Sequence, residues 1–456
     1  MYILGIGTHV TCGSALIKDG IVVAAINDER LVRTKMVFGF PRRSIAKVLE
    51  MENVRPEDIS YIAVATQRQH LIDGYVDYLG GKFDFKRGIA KQLFFDVGSK
   101  LSQFMTKFPG LEKLYYFFRQ PFFIHRRIRI KNILKDEFGF RCPVEFIDHH
   151  LCHAASAYYS SQFEEATVLS LDSAGDGCSS RIYGVTANRF EAIHKVRSFD
   201  SPSSFYSYVT HICGFKAGKH EGKITGLAAY GTPKYLDLLK SLIIYKGGSF
   251  ENIGGVFFQS GIKAIQDALP ENFKKEDLAA SIQVYTEEML VQYVQHWVKF
   301  SGKPNIALAG GLFANVLINQ KIFEIPEVKS VFVHPGMSDE GIGLGAALAL
   351  YHEKNSDLKK VCFSNVYLGS GLAHKAIEEA LEGTELEYSY HESVEKEIAR
   401  ILASGYVVAR CNGRMEYGPR ALGNRSILYQ PTDRSVNKWL NEGLRRTEFM
   451  PFAPST

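Results

Sequence analysis

Two histidines and an aspartate are the residues in this sequence whose types and spacing point most directly to chemistry. His149 and His153 stand four residues apart, and Asp172 follows the apolar run 166–171. On a helix, side chains four residues apart share one face, with Cβ atoms roughly 5–6 Å apart. Asp172 ends a predicted strand, so its carboxylate can point to the same place. The pattern predicts a divalent metal site, and the residue types leave iron(II), zinc and manganese open.

The same histidines have a plainer interpretation as polar residues on a half-exposed helix. Against it, the segment is otherwise small and apolar, which favours a packed helix. A second acidic Gly loop, at 338–341, follows the predicted strand 328–333 and brings Asp339 within reach of a metal. These features favour the metal interpretation.

Glycines in two further segments indicate contact with phosphate or nucleotide. GKITGLAAYG (222–231) reads as a loop that runs into a short helix, and it lacks the P-loop pattern. Gly310 and Gly311 lead from a predicted strand (305–309) into a predicted helix (312–320), where backbone amides can hold phosphate or ribose. A strand, Gly-Gly turn, helix, strand and acidic loop in this order predict a nucleotide-binding unit.

Three arginines stand in the Gly- and Pro-containing stretch GRMEYGPRALGNRSIL. Forked guanidinium groups in a rigid loop suit a polyanion such as ATP. Surface ion pairs are the plainer alternative, which the flanking glycines and proline make less favoured. The arginines are Arg414, Arg420 and Arg425.

The strands that must position these groups follow one plan twice. Each plan has three consecutive strands with a polar turn after the first; the predicted strands are 2–6, 14–18 and 21–26, then 166–171, 178–184 and 190–196. In the second set, the polar turn that follows strand 166–171 is predicted over 172–177. This duplication predicts an α/β protein with the actin-like (RNase H-like, ASKHA) ATP-binding fold and a cleft between the halves. Two unrelated hairpins are the alternative.

A basic, aromatic insertion interrupts the first unit over 72–140. Residues 82–140 contain 13 Lys/Arg and 5 Asp/Glu, whereas the whole chain of 456 residues has a net charge of only +5. An acceptor-binding lid, a surface for an anionic polymer and a membrane-surface patch are functional readings. We favour an amphipathic insertion with a solvated basic face and helices over 89–105 and 126–138.

Composition and cysteine usage predict a cytoplasmic globular protein. The sequence is 46% hydrophobic and 23% charged, and its seven cysteines include no CxxC pair. We expect no disulfide framework, no signal peptide, no transmembrane segment and no nucleic-acid partner.

Six motifs, taken in order, resemble those of the NodU/CmcH-type O-carbamoyltransferase family. They are HHLCHAASA, LDSAGDG, EGKITGLAAYG, LAGGLFANVLIN, HPGMSDEGIGLGAALA and GRMEYGPRALGNRSIL. The resemblance implies a duplicated actin-like domain over 1–360 that holds a metal and carbamoyl adenylate. It also implies a partial YrdC-like domain over 361–456 that makes carbamoyl adenylate from carbamoyl phosphate and ATP.

The resemblance also assigns residues to sites. The implied metal ligands are His149, His153, Asp172 and Asp339, and the metal in such enzymes is typically iron. The implied carbamoyl-adenylate site comprises Lys223, Gly226, Gly310, Gly311 and Asn315. Arg414, Arg420 and Arg425 are assigned to the carbamoyl-phosphate and ATP site.

This sequence departs from the family pattern at two places. His9 is followed by Val10 where the family has His-Asp, and His9 is the expected general base on the acceptor hydroxyl. Near the end, LRRTEFMPFAPST has Leu444 and Met450 at the positions of the family's Lys and Arg, so either Arg445 or Arg446 would substitute or the chain belongs to a subgroup with altered phosphate contacts. Members of the family continue beyond the position of Thr456, which implies a C-terminally truncated second domain.

The expected activity is transfer of a carbamoyl group from carbamoyl phosphate to a hydroxyl of a sugar-containing or natural-product acceptor. Iron(II) and ATP with Mg²⁺ are the expected cofactor and co-substrate, and the sequence is compatible with a homodimer. One alternative is an actin-like sugar kinase, which needs a catalytic carboxylate but no His pair. Another is a non-catalytic, nucleotide-dependent interaction protein that docks through 72–140.

Overall fold

Two compact units make up the chain in the computed structural model, Met1–Phe363 and Ser364–Thr456. The structure describes residues 1–8, 10–69, 71, 73–77, 104, 108, 116–355, 360, 362–433, 435–444 and 453. None of the helices in these ranges has the length and apolar character needed to cross a membrane.

The first unit contains two five-stranded sheets with the same topology. The strands of its first half are β1 (Tyr2–Gly7), β2 (Gly13–Lys18), β3 (Ile21–Asn27), β4 (Val37–Phe38), β5 (Ile59–Ala65), β6 (Val76–Asp77) and β7 (Val144–Ile147). The sheet order is β3-β2-β1-β5-β7, and β4 and β6 form a separate ribbon. β1, β2 and β3 are antiparallel neighbours, whereas β5 is parallel to both β1 and β7.

The second sheet repeats this order and these directions. Its half contains β8 (Glu165–Gly175), β9 (Cys178–Thr186), β10 (Arg189–Arg197), β11 (Ile244–Lys246), β12 (Ser249–Glu251), β13 (Asn305–Ala309) and β14 (Ser330–Val333). The sheet order is β10-β9-β8-β13-β14, with β13 parallel to β8 and β14. The repeat confirms the predicted duplicated, actin-like α/β fold.

Eleven helices of the first unit are described. They are α1 (Asp28–Val32), α2 (Arg42–Glu52), α3 (Gln120–Phe138), α4 (His149–Ser160), α5 (Pro202–Ile212), α6 (Glu221–Ala228), α7 (Leu236–Lys240), α8 (Gln259–Ala268), α9 (Lys275–Ser301), α10 (Val316–Phe323) and α11 (Ile342–Lys354). Apolar residues at helical spacing along one side of α9 are buried, among them Leu278, Ile282, Tyr285, Met289, Tyr293 and Trp297.

Close backbone contacts fix the two helices that matter most for the site. A Cβ on Gly345 of α11 would lie 1.8 Å from the carbonyl oxygen of Cys152 in α4. Only glycine permits this approach, because any side chain would push α4 and α11 apart. α4 bears the two histidines of interest, and α11 begins just after Asp339, so this contact sets their separation.

Several predicted boundaries were wrong for local physical reasons. Strand β8 continues through Asp172 to Gly175, so the turn is only Asp176-Gly177, with φ values of 51° and 91°. The predicted helix 312–320 is a 3-10 turn (Gly311–Ala314) followed by α10, because Asn315 caps the new helix with its side chain. Most of GKITGLAAYG is helical, in α6, rather than a loop.

The predicted insertion helix 126–138 lies within α3, which begins earlier, at Gln120. The predicted helix 89–105 lies outside the described residues, apart from residue 104. The second unit contains α12 (His374–Leu381), α13 (Val394–Ala403), β15 (Val408–Cys411), β16 (Arg425–Leu428) and α14 (Val436–Gly443). β15 and β16 pair as an antiparallel ribbon that supports the arginine-containing stretch.

Candidate metal centre

Four side chains predicted to share a metal converge in the first unit. One potential ligand atom from each lies within 4.8 Å of all the others; the residues are His149, His153, Asp172 and Asp339. Nε2 of His153 lies 3.1 Å from Nε2 of His149 and 3.5 Å from a carboxylate oxygen of each aspartate. Both histidines are buried. The four groups therefore meet in one enclosed space.

Three separate elements bring these groups together. His149 and His153 occupy one face of α4, whose first turn is capped by the Asp148 carboxylate accepting from the Leu151 N–H at 3.0 Å. Asp172 projects from β8, and Asp339 opens the 3-10 turn Asp339–Gly341 that leads into α11. The site is thus built from a helix, a strand and a loop whose positions are set by the sheets.

The electrostatics of the cluster favour a cation. Burial opposes protonation of His149, but the Asp172 carboxylate, 3.9 Å from Nε2, and the charge of Asp339 outweigh it and raise the pKa of His149 to about 9. Burial would raise the pKa of Asp172, yet the imidazoles of His149 and His153, 3.9 and 3.5 Å from its carboxylate, lower it to about 2. The Asp172 carboxylate therefore stays charged and, with the Asp339 carboxylate beside it, attracts positive charge into a buried space.

The donor set fits a divalent metal ion. If protons alone balanced the two carboxylates, both imidazoles would be cationic, and their N–H groups would face each other across 3.1 Å. One divalent cation carries the same charge as those two protons and accepts both Nε2 lone pairs. Two imidazoles and two carboxylates are ligands that iron(II), zinc and manganese share.

Thr66 orients the first histidine. Its Oγ1 lies 3.0 Å from Nδ1 of His149. When Nε2 serves as a ligand, Nδ1–H donates to this hydroxyl, which fixes both the tautomer and the ring. Thr66 has a φ of 72°, a left-handed conformation that is uncommon for a β-branched residue. Such strain is held in place by neighbouring contacts.

A buried arginine from the insertion supplies those contacts. The guanidinium of Arg126, on α3, donates to the carbonyl oxygen of Thr66 at 2.7 Å, that of Ala65 at 3.2 Å and Oγ1 of Thr8 at 2.9 Å. Burial lowers the pKa of Arg126 to about 10, so it remains charged at neutral pH. The insertion is predicted to present a solvated basic face, and buried Arg126 is an exception to that prediction.

Asp176 joins the two halves beside the cluster. Its carboxylate accepts backbone N–H groups of Gln67 at 2.9 Å, Arg68 at 2.6 Å and His149 at 2.8 Å. Sequence reasoning did not single out this residue, although it stands in the LDSAGDG motif. Its position in a two-residue turn was the available signal.

The residues assigned to the adenylate site fall into two groups. Gly310, with a φ of 114°, and Gly311 adjoin the cluster: a Cβ on Gly311 would lie 3.2 Å from Oδ1 of Asp172. Asn315 is instead engaged internally, because its amide bonds Gln283 at 2.8 Å and Thr225 at 3.2 Å. These bonds tie α10 to α9 and α6, so Asn315 organises the wall of the site.

Lys223, on α6, belongs to a group of lysines drawn from both halves. The pKa of Lys223 is lowered to about 8. Burial is the main cause, and the charges of Lys35, Lys216 and Lys219 lower it further. Nζ of Lys219 reaches the carbonyl oxygen of Lys35 at 2.9 Å, across the two halves. Gly226 lies one turn from Lys223 with open space beside it. The concentrated positive charge suits an anionic ligand.

In the second unit, two of the three predicted arginines donate to backbone carbonyl groups of other residues in that unit. Arg414 donates to the carbonyl oxygens of Gly369 and Leu368 at 3.0 and 2.7 Å. Arg425 donates to those of Asn412 at 2.7 Å and Gly413 at 3.1 Å. Arg420 is exposed and makes no hydrogen bond or ion pair with any residue in the described part of the chain.

Glu416 shapes the same stretch and was missed by sequence reasoning. Its buried carboxylate accepts N–H groups of Leu422, Asn424 and Arg425 at 2.8, 2.8 and 3.0 Å. Burial would raise the pKa of Glu416, but these backbone hydrogen bonds lower it. Two other predicted site residues, His9 and Arg446, lie outside the described residues.

Comparison with known proteins identifies relatives along the chain. The family model described as "Carbamoyltransferase N-terminus" matches residues 2–348, and "Carbamoyltransferase C-terminus" matches residues 399–456. An uncharacterized protein of Synechocystis sp. is 30% identical, over 100% of this chain and 75% of its own length. The nodulation protein NolNO of Sinorhizobium fredii is 29% identical, over 97% of this chain and 62% of its own length.

Among solved structures, HypF of T. kodakarensis matches 79% of this chain and 48% of its own chain. The TM-score is 0.45 and the sequence identity is 13%.

Proposed function

The chain belongs to the carbamoyltransferase family, and from that premise we propose that it is an ATP-dependent O-carbamoyltransferase. In the proposed reaction, carbamoyl phosphate, ATP, water and an acceptor alcohol give the carbamate ester, AMP, pyrophosphate and phosphate. Carbamoyl adenylate is the proposed intermediate, since its AMP is a better leaving group for attack by a weakly nucleophilic hydroxyl. The proposed acceptor, a sugar-containing compound or natural product, comes from the motif resemblance.

The convergence of four ligand atoms, three of them from buried residues and one from half-buried Asp172, beside the Gly310-Gly311 turn carries this proposal. A divalent cation bound there, for which we propose iron(II), would supply Lewis-acid polarisation of the carbamoyl carbonyl. The remaining steps fall to the protein's own side chains. Thr66 would hold the His149 ring, and the Gly-Gly turn would allow a nucleotide to approach the cluster closely.

The lysine group would bind the phosphate of the adenylate. Lys223 is partly buried among Lys35, Lys216 and Lys219, and this crowding is relieved when an anion binds. We propose that His9, which lies outside the described residues, accepts the proton of the acceptor hydroxyl.

In the second unit, we propose that Arg420 contacts the phosphates of carbamoyl phosphate or Mg-ATP. Arg414 and Arg425 would shape the loop around it through their bonds to backbone carbonyls. Arg446 is proposed for the same site from its position in the sequence.

The test is to incubate the chain with Fe(II), Mg-ATP and carbamoyl phosphate and to measure AMP and pyrophosphate. We expect pyrophosphate from formation of carbamoyl adenylate and, because water hydrolyses the adenylate to carbamate and AMP when no acceptor is present, an equal amount of AMP, with little ADP. For variants that remove a carboxylate of the cluster, Asp277→Asn serves as the control. Asp277 is buried, pairs with Lys234 at 2.8 Å and lies outside the cluster. Absence of pyrophosphate, or ADP formed from ATP and a sugar without carbamoyl phosphate, would contradict the proposal and favour a kinase.

A further inference from the structure

A cavity of about 530 Å³ lies beside the four-residue cluster, in the first unit. Three of its lining residues adjoin groups that contact His149. Asp176 accepts the His149 backbone N–H at 2.8 Å, Asp148 directly precedes His149, and Gln67 directly follows Thr66. A ligand in the cavity would therefore lie next to the proposed metal centre, and the volume is within the range of small-molecule sites.

The acidic residues of the lining are already engaged. The Asp176 carboxylate accepts three backbone N–H groups. Asp148 caps α4 and pairs with Arg181 at 3.1 Å. Neither carboxylate is therefore available to neutralise further positive charge. Of the other lining cations, Arg197 pairs with Asp200 at 2.7 Å.

Two lining cations remain, Arg68 and Lys195. Both are exposed, and neither forms an ion pair with a residue in the ranges that the structure describes. The guanidinium of Arg68 lies over the ring of Tyr116, 5.2 Å from its centroid. That contact holds the charge at the cavity wall without neutralising it.

The remaining lining offers aromatic and amide groups. Tyr116 and Phe117 form an aromatic wall, and Gln67 and Gln120 provide amides that donate and accept hydrogen bonds. In small-molecule sites, a small number of well-placed polar groups beside apolar surface fixes the orientation of the ligand. Aromatic faces suit the C–H face of a sugar ring, amides suit its hydroxyls, and the two cations suit an anionic substituent.

We propose that this cavity is the acceptor subsite and that its acceptor is an anionic sugar, with a carboxylate or phosphate held by Arg68 and Lys195. The proposal rests on the carbamoyltransferase function proposed above, because it assigns the cavity to the hydroxyl-bearing substrate. The anionic group would bind at the cavity wall, which leaves a ring hydroxyl to face the cluster beyond Asp176.

Three probes with one aglycone test the charge preference on the full chain. They are 4-nitrophenyl β-D-glucoside, 4-nitrophenyl β-D-glucuronide and 4-nitrophenyl β-D-glucoside 6-phosphate. Binding is measured by calorimetry in the absence of ATP and carbamoyl phosphate. We expect one or both anionic probes to bind roughly five- to tenfold more tightly than the glucoside, as two partly exposed charge pairs allow. The stronger of the two identifies the carboxylate or the phosphate as the recognised group.

Variants locate the binding. In Arg68→Gln/Lys195→Gln the preference should disappear while the glucoside affinity stays the same. Lys329→Gln, an exposed lysine outside the cavity lining, should keep the preference. Each single variant should lose part of it, and unfolding temperatures would establish that the exposed substitutions leave the fold intact.

Two results would overturn the proposal: equal affinities for all three probes, or a preference that survives in the double variant. Binding of carbamoyl phosphate alone that weakens in the double variant would assign the cavity to the donor and would also overturn it. Failure of the proposed function is a separate outcome, because pyrophosphate release is measured without acceptor and the probe affinities are measured without ATP.

Discussion

The buried cluster of the first unit and the arginine loop of the second hold their charged groups in opposite ways. In the cluster, two imidazoles and two carboxylates face one another within 4.8 Å. In the loop, Arg414 and Arg425 turn to nearby backbone carbonyls, and Glu416 accepts N–H groups of the same stretch. Charged side chains that bond to backbone groups of their own unit shape a loop. Charged side chains that converge on one point indicate a bound ligand.

The largest effect should come from removing one of the gathered charges. Asp172→Ala leaves two imidazoles and a single carboxylate, so metal binding should be lost. Carbamoyl transfer should fall by more than the roughly 100-fold that loss of an outer-shell partner costs. Metal content and product formation measure the two effects, and Asp277→Asn should change neither. Normal transfer by Asp172→Ala with metal still bound would break the comparison.

The next effect concerns the group that orients His149. Thr66→Val keeps the side-chain shape but removes the hydroxyl at 3.0 Å from Nδ1, so metal affinity should fall roughly 10- to 100-fold. Thr66→Ser should retain the affinity. Thr167→Val removes a different buried hydroxyl, bonded to Ser301 at 2.6 Å, and should leave metal affinity unchanged. Equal losses in Thr66→Val and Thr66→Ser would show that the hydroxyl does not orient the ring.

A smaller, pH-dependent effect should sharpen the role of the lysine group. Because the pKa of Lys223 is lowered to about 8, its charge is present below that pH and is lost above it. Neighbouring His220, whose pKa is lowered to about 4, is neutral throughout this range. Affinity for AMP should therefore decrease above pH 8 by at most about tenfold per pH unit.

Lys223→Gln should bind AMP more weakly at pH 7 and should show a flatter profile, with the other lysines unchanged. Calorimetry between pH 7 and pH 9.5 measures both. An identical decline in the variant would assign the titration to another group.

The smallest effects should distinguish Arg425 from Arg420 in the loop. Arg425→Gln removes donors to the carbonyl oxygens of Asn412 and Gly413, and should lower the free energy of unfolding by about 0.5–1.5 kcal/mol, since both hydrogen bonds are exposed to water. Arg420→Gln should change it by less than about 0.5 kcal/mol, as expected for an exposed side chain. It should nevertheless weaken Mg-ATP binding. Denaturant unfolding and calorimetry distinguish these outcomes, and equal destabilisation by both would contradict the division of roles.

Local sequence patterns were sufficient for much of the cluster. The four-residue spacing of His149 and His153 identifies one helix face, and Asp172 follows an apolar strand; the family motif adds Asp339. The repeated strand plan likewise predicted the duplicated fold. These features depend on neighbours a few residues away, so they can be read from the sequence.

The supporting contacts could not be predicted because they join distant segments. Thr66 meets His149 across 83 residues, and Asp176 bonds Gln67 across 109 residues. Arg126 stood in a basic stretch, and nothing in its neighbours indicated that it would be buried against Thr66. For Arg425, the residue type is read directly from the sequence, but the fold determines which carbonyl oxygens lie within its reach.

X-ray absorption at the iron edge of the full chain reconstituted with Fe(II) tests the central claim most directly. The account predicts about one iron per chain with a first shell of imidazole nitrogens and carboxylate oxygens, and loss of the imidazole signal in His149→Ala/His153→Ala. Sulfur scattering from cysteine thiolates, or an unchanged spectrum in that double variant, would contradict it.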